Sequence, residues 1–282
     1  MSKIKLSAFA DEASVDLNGQ ILAMKENGIQ YLEMRGVDEI NVSKLTLDQA
    51  KEAKKCLDDN GLSVWSIGSP IGKIKITDDF APELDLFKHV LEIANVTEAK
   101  CIRMFSFYGT EGKAEWRDEV FERLSKYVDA AKGSGVVLCH ENEKGIYGDI
   151  PERCLEIHKQ FSDIKSVFDP ANFVQCNVNT LEAWDLLAPY VYYGHIKDAD
   201  VDGNIVPPGE GIGHIAEYLP KFVAKGCSVL TLEPHLAEFA GLSDLEEEGD
   251  KSKVGGLKFA NNREAFDYAA NALKNIIKGV GL

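Results

Sequence analysis

The sequence predicts an α/β protein that forms one (β/α)8 barrel domain over residues 1–282, and three observations carry that prediction. The chain has 282 residues, close to the roughly 250 of an eight-stranded α/β barrel, so one domain accommodates it. Glycines recur between a helical pattern and an apolar run, at Asn27-Gly28-Ile29, Asn60-Gly61-Leu62, Ser134-Gly135-Val136 and Lys225-Gly226-Cys227. A left-handed residue there ends one helix and lets the next strand begin, the rhythm of stacked βα units. Finally, four short apolar runs each reach a cation-binding residue: 136–141 ends in Glu141, 165–169 in Asp169, the run through Tyr192 and Tyr193 in His195, and 229–233 in Glu233.

Taken in order, strand one is expected over 4–9, followed by a polar loop at 10–14 and a helix over 17–27. Strand two, 31–35, sets Tyr31, Glu33 and Arg35 on one face by alternation. An acid and a base then meet at the barrel mouth, as an internal ion pair or as substrate contacts. A helix over 46–60 leads to strand three, 63–67, and to a loop whose Lys73, with Lys75 beyond it, is a candidate phosphate holder. The helix over 82–95 has Leu84, Phe87, Val90, Leu91 and Ala94 on or near its apolar stripe and leaves His89 at its boundary. In strand four, 101–105, Arg103 shares the inward face of Cys101 and Phe105; a buried guanidinium with no role is costly, so Arg103 is read as a substrate or ion-pair residue. The glycine-bearing loop 108–113 is a candidate cover for the mouth, and Trp116 is expected to begin the next helix.

Strands five to eight are joined by helices over 151–161, 180–187 and 215–225. The intervals from Glu141 to Asp169, His195 and Glu233 are 28, 26 and 38 residues, one βα unit each, the last lengthened by the loop 200–213. Its glycine-rich part, 206–213, reads as a shaped loop and not as a phosphate cradle, because Glu210 would repel an anion there. A long polar stretch at 242–256 is expected to be a lid, a contact in a homo-oligomer or a mobile excursion. The closing helix, 263–278, places Phe266, Ala269, Ala270, Leu273, Ile276 and Ile277 at helical spacing for the core.

Composition narrows the partners. Lys and Arg number 31 against 46 Asp and Glu, a net charge of −15, which repels a phosphate backbone and argues against nucleic acid. The six cysteines show no C-x-x-C, the N-terminus has no apolar signal segment, and no run approaches the about 20 apolar residues of a membrane span. A cytoplasmic protein without a membrane partner is the expectation.

Alternation decides what the four strand ends share. Glu141 points with Val137 and Cys139, Asp169 with Val167, His195 with Tyr193 and Glu233 with Thr231. Three carboxylates and an imidazole at four consecutive strand ends suit a divalent metal such as Mn²⁺, Zn²⁺ or Mg²⁺ better than a dry core. Glu143, His140 and His235 are near enough in sequence to orient such ligands.

The pattern Glu, Asp, His, Glu, read within Cys139-His140-Glu141-Asn142-Glu143, Phe168-Asp169-Pro170-Ala171-Asn172, His195-Ile196-Lys197-Asp198 and Leu232-Glu233-Pro234-His235, resembles the sugar isomerase and epimerase group with the xylose isomerase-like TIM barrel. The resemblance runs from strand one to the last helix. It implies one divalent metal, Mn²⁺ first and Zn²⁺, Mg²⁺ or Co²⁺ after it, held by Glu141, Asp169, His195 and Glu233, and a keto-sugar or sugar-phosphate substrate. In ketose 3-epimerases of the group the two glutamate ligands also move the proton, which assigns Glu141 and Glu233 to opposite faces of the substrate carbon. Two positions depart from those epimerases. Asn172 stands where they have histidine, and no arginine follows His195, where this chain has Lys197 and Asp198. The substrate grip therefore falls to Lys197, Arg103, Glu33, Arg35 and Asn172.

Two enzymatic rivals use the same barrel. A dehydratase or lyase on a keto-polyol would expel a β-leaving group with Lys197-Asp198 as its extra acid, and an apurinic endonuclease would need more histidines and a basic face. A sugar-binding barrel with no activity would be expected to lack a ligand.

Overall fold

A computed structural model describes residues 4–238 and 257–282, so the expected lid at 242–256 lies outside the described residues. Eight parallel strands close into a barrel: β1 Lys5–Ala8, β2 Tyr31–Met34, β3 Ser63–Gly68, β4 Cys101–Met104, β5 Val137–Glu141, β6 Ile164–Phe168, β7 Val191–Ile196 and β8 Val229–Leu232. Each strand pairs with its sequence neighbours, and β8 closes on β1 with Lys5 opposite Val229 and Ala8 opposite Leu232. Between and after them run α1 Leu17–Glu26, α2 Leu47–Asp59, α3 Phe80–Thr97, α4 Arg117–Ala131, α5 Pro151–Gln160, α6 Pro170–Gln175, α7 Thr180–Leu187, α8 Ile215–Ala224 and α9 Asn262–Gly279. None of the described helices is long and apolar enough to cross a membrane.

Local chemistry sets the helix starts. The Asp16 side chain accepts from the Gly19 amide at 2.8 Å, and Thr46 with Gln49 forms a reciprocal capping box at the head of α2. Asp79 accepts from Ala81 at 3.1 Å and starts α3 two residues before the expected position. Three elements carry no periodic signal and were not expected. One is α6, a six-residue helix that begins at Pro170 directly behind Asp169. The others are two-residue hairpins, Gly36–Val37 with Ile40–Asn41 and Asp198–Ala199 with Ile205–Val206.

Alternation separates two cores. Cys101, Cys139, Val167, Tyr193 and Val229 fill the barrel interior, whereas Leu32, Ile67, Ile102, Leu138, Phe168, Ile196 and Leu230 face the helices. The interior is narrow at its upper end: a Cβ on Gly68 would stand 2.5 Å from the Phe9 ring, which is why only glycine ends β3. Above that layer the polar residues begin.

Candidate metal centre and active site

The strands deliver their polar ends to one point. Glu141 is the last residue of β5 and His195 the penultimate residue of β7, while Asp169 and Glu233 stand one residue beyond β6 and β8. All four are buried, and one donor atom from each lies within 4.8 Å of the others. His195 Nδ1 is 3.0 Å from Glu141 Oε1, 3.1 Å from Glu233 Oε2 and 3.7 Å from Asp169 Oδ2. Its other nitrogen, Nε2, lies 3.2 Å from Glu33 Oε2, and the Tyr193 hydroxyl donates to Glu33 Oε1 at 2.7 Å.

Two asparagines fix the carboxylates. Asn142 Nδ2 donates to the Asp169 carbonyl at 2.9 Å, and the Asp169 amide donates back to Asn142 Oδ1 at 3.0 Å. Asn172 sits in the first turn of α6, where its amide donates to Asp169 Oδ1 at 2.9 Å and its side chain donates to Glu141 Oε1 at 3.3 Å. Asp169 is thus both strand end and helix N-cap.

Cations complete the cluster. Lys197 Nζ lies 3.1 Å from Asp169 Oδ2 and 3.3 Å from Glu233 Oε2; Arg103 Nη1 lies 3.2 Å from Glu141 Oε2 and 4.0 Å from Glu233 Oε1. Burial works to raise the Glu233 carboxyl, but Lys197, His235 and His195 outweigh it and hold the group well below the usual carboxylate range. Burial likewise opposes charge on His195 and Lys197. The surrounding carboxylates overcome it, Glu141 and Glu33 chiefly for His195 and Asp169 and Glu233 for Lys197, so both stay above their ordinary values.

The donor chemistry suits a divalent cation. Asp169 Oδ2 and Glu141 Oε2 are buried and accept no aligned hydrogen bond; their contacts are ionic, Asp169 Oδ2 with Lys197 and His195 and Glu141 Oε2 with Arg103. Three carboxylates and one imidazole nitrogen converge on one point, and the opposite ring nitrogen is already held by a carboxylate, as it is for most metal-bound histidines.

Arg103, Asn172, Lys197 and Lys73 line a cavity at the carboxyl end of the barrel together with Glu141 and Glu233. Glu33 and Arg35 are not among its lining residues, and they do not pair with each other. Glu33 sits beneath His195, and Arg35, one residue past β2, binds Asp11, Glu12 and the Glu233 side. Lys197 pairs with the mouth carboxylates and not with Asp198, which turns away to accept the amides of Gly209, Gly211 and Gly213. His140 is not beside the ligands: one residue before Glu141, it faces the helices and bonds Ser106 Oγ at 2.9 Å. Glu143 pairs with Lys73 at 3.3 Å, and Lys75 is exposed.

Sequence reasoning missed Asp11, Glu12 and Asn142. The first two stand three and four residues past the end of β1, in the 3-10 turn Ala10–Glu12, and their place in the polar loop behind strand one was the available signal. Asn142 gave none, because nothing local shows that its amide bridges to the next strand.

Fold and site together define a (β/α)8 barrel of an enzyme class, with a buried cluster of carboxylates and one histidine at the carboxyl ends of its strands that could hold a metal ion. Residues 21–251 match the family model described as xylose isomerase-like TIM barrel, and the chain belongs to that family. Among solved structures, an L-ribulose 3-epimerase superposes with a TM-score of 0.75 at 18% identity, over 99% of this chain and 96% of its own. The IOLI protein, with a zinc atom bound, gives 0.74 at 16% identity over 98% and 99% of the two chains. The probable 3-DHS dehydratase AsbF of Bacillus anthracis gives 0.72 at 16% identity over 98% of each. These likenesses show the fold. No curated protein matches by sequence.

Proposed function

We propose that this protein is a divalent-metal-dependent isomerase or epimerase of a keto-sugar or sugar phosphate, with Glu141, Asp169, His195 and Glu233 as metal ligands and Glu141 and Glu233 as the bases. The observation that carries this reading is the paired posture of the two glutamates. Each turns one oxygen to His195 Nδ1, at 3.0 and 3.1 Å, and the other toward Arg103 Nη1, at 3.2 and 4.0 Å. Each therefore has one oxygen for the cation cluster and one for a substrate held against the arginine.

A divalent ion bound there, Mn²⁺ first and Zn²⁺, Mg²⁺ or Co²⁺ after it, would supply Lewis acidity that acidifies the C–H beside a carbonyl. The protein's share is to orient and to move the proton. Glu233, held well below the usual carboxylate range, is ionised at neutral pH, the form in which a carboxylate can act as a base. One carboxylate can remove a proton from one face of a carbon while the other delivers a different, solvent-exchanged proton to the opposite face. Arg103, Lys197 and Asn172 on the cavity wall are the candidates to hold substrate oxygens. The dehydratase alternative has less support from Lys197-Asp198 as its extra acid, since Asp198 accepts the amides of Gly209, Gly211 and Gly213 and the carboxylates of Asp169 and Glu233 hold the proton on Lys197.

The test is a panel of free and phosphorylated keto-sugars in D₂O, read by NMR. The wild type should wash deuterium into the carbon next to the carbonyl. Glu141→Gln and Glu233→Gln should each keep the metal and lose epimerisation by about 10²–10⁴-fold. Wild-type turnover in both variants, or full activity after exhaustive chelation, would sink the reading, and an elimination product in place of an epimer would make the enzyme a lyase.

A further inference from the structure

Beside the first cluster lies a second one that shares a residue with it. Glu12, Glu233 and His235 bring three more ligand atoms within 4.8 Å of one another. The two oxygens of Glu233 divide between the clusters: Oε2 faces His195 Nδ1, and Oε1 lies 3.4 Å from His235 Nε2. His235 Nε2 is also 3.4 Å from Glu12 Oε1. A carboxylate with one oxygen toward each of two ligand groups is the arrangement that bridges paired metal ions.

The guanidinium of Arg35 stands in this second cluster. Its Nη2 donates to Glu12 Oε1 at 3.1 Å, and its Nη1 lies 3.5 Å from both Glu233 Oε1 and His235 Nε2. Asp11 clamps the same guanidinium through both oxygens, at 2.8 and 3.1 Å, while the Phe9 ring supports it from one face at 4.4 Å. A planar cation held by a bidentate carboxylate and stacked on an aromatic ring is fixed in place.

We propose that Arg35 occupies a latent second cation position formed by Glu12, Glu233 and His235, and thereby limits the centre to one metal ion. Arg35 is then a specificity-determining residue for metal stoichiometry. Its charge cannot dissociate and carries no open coordination position, and at 3.5 Å it neutralises Glu233 Oε1 without the bond that a second metal would form. The inference rests on the proposed function in one respect, that Glu141, Asp169, His195 and Glu233 hold the first ion.

The experiment is a Mn²⁺ titration of the full chain, with bound metal counted by equilibrium dialysis and pairing read by electron paramagnetic resonance. The wild type should saturate at one ion with an isolated-ion spectrum. Arg35→Met should take up two, with the exchange-coupled signal of ions sharing a carboxylate, and Glu12→Ala added to it should return the count to one. Arg35→Gln keeps a donor for Asp11 without the charge and serves if the methionine variant does not fold. A second coupled ion in the wild type, or a single ion in folded Arg35→Met or Arg35→Gln, would overturn the proposal. A wild type that binds no Mn²⁺ would instead remove the metal reading on which the site rests.

Discussion

His195 has two ring nitrogens and only one of them faces the cluster of three carboxylates, so whatever holds the other sets the chemistry. Glu33 does that from below. Its Oε2 lies 3.2 Å from Nε2, and burial, which would raise its carboxyl, is outweighed by His195 and Arg103 so that it stays ionised. With a proton fixed on Nε2, a metal ion that displaced the Nδ1 proton would find its lone pair on that nitrogen. Glu33→Gln should therefore weaken Mn²⁺ binding by about 10–100-fold with the fold intact, measured by calorimetry. An unchanged affinity would show that Glu33 does not orient the ring. Removing one of the proposed ligands outright, Asp169→Ala or His195→Ala, should abolish stoichiometric metal. The four strand-end residues were legible because period-two alternation says which face each side chain takes. Partnership was not: alternation put Glu33 and Arg35 on one face, but not that the first would reach His195, 162 positions away, and the second Asp11.

Two connecting elements carry energetic roles that are open to test. Asp198 accepts four backbone amides, from Ala199, Gly209, Gly211 and Gly213, at 2.8 to 3.2 Å. The glycines at 211 and 213 are required by close approach, since a Cβ there would come within 2.3 and 2.6 Å of Asp198 Oδ1. Asp198→Ala leaves those amides without an acceptor and should cost about 2–3 kcal/mol in urea unfolding, with Asp198→Asn losing less. On the opposite face, α5 buries His158 against Tyr190 and close to His140, with Nδ1 on the Ile164 carbonyl at 3.1 Å. Burial pushes His158 down to about 4 and His140 well below its ordinary value. The unfolded chain protonates such histidines near pH 6.5 while the native chain does not, so stability is full above about pH 6.5 and falls toward pH 4. Between pH 7.5 and 5.5, His158→Gln should lose on the order of 1 kcal/mol less stability than the wild type, read from urea midpoints. Equal slopes would place the pH dependence elsewhere.

Net charge acts on the whole molecule. At −15, the protein should show no binding to duplex DNA carrying an abasic site at an ionic strength of about 0.15 M, measured by fluorescence anisotropy, because like charge opposes encounter. Salt-sensitive cleavage of that DNA would restore the endonuclease alternative. The barrel itself was readable from the chain alone. Hydrophobic period, helix caps and glycine punctuation are local signals, and each βα unit repeats them, so eight strands and the order of their ends follow from short windows of sequence. The same local signals put Glu141, Asp169, His195 and Glu233 at the mouth. Closure of the sheet decided the rest, because it brings residues far apart in sequence within one hydrogen bond of each other. Only then does Lys197 choose Asp169 and Glu233 over its neighbour Asp198, does His140 turn out to face the helices, and does Arg35 come to stand among Asp11, Glu12, Glu233 and His235. Those choices are made by distance and desolvation across the barrel, and no stretch of the chain encodes them by itself.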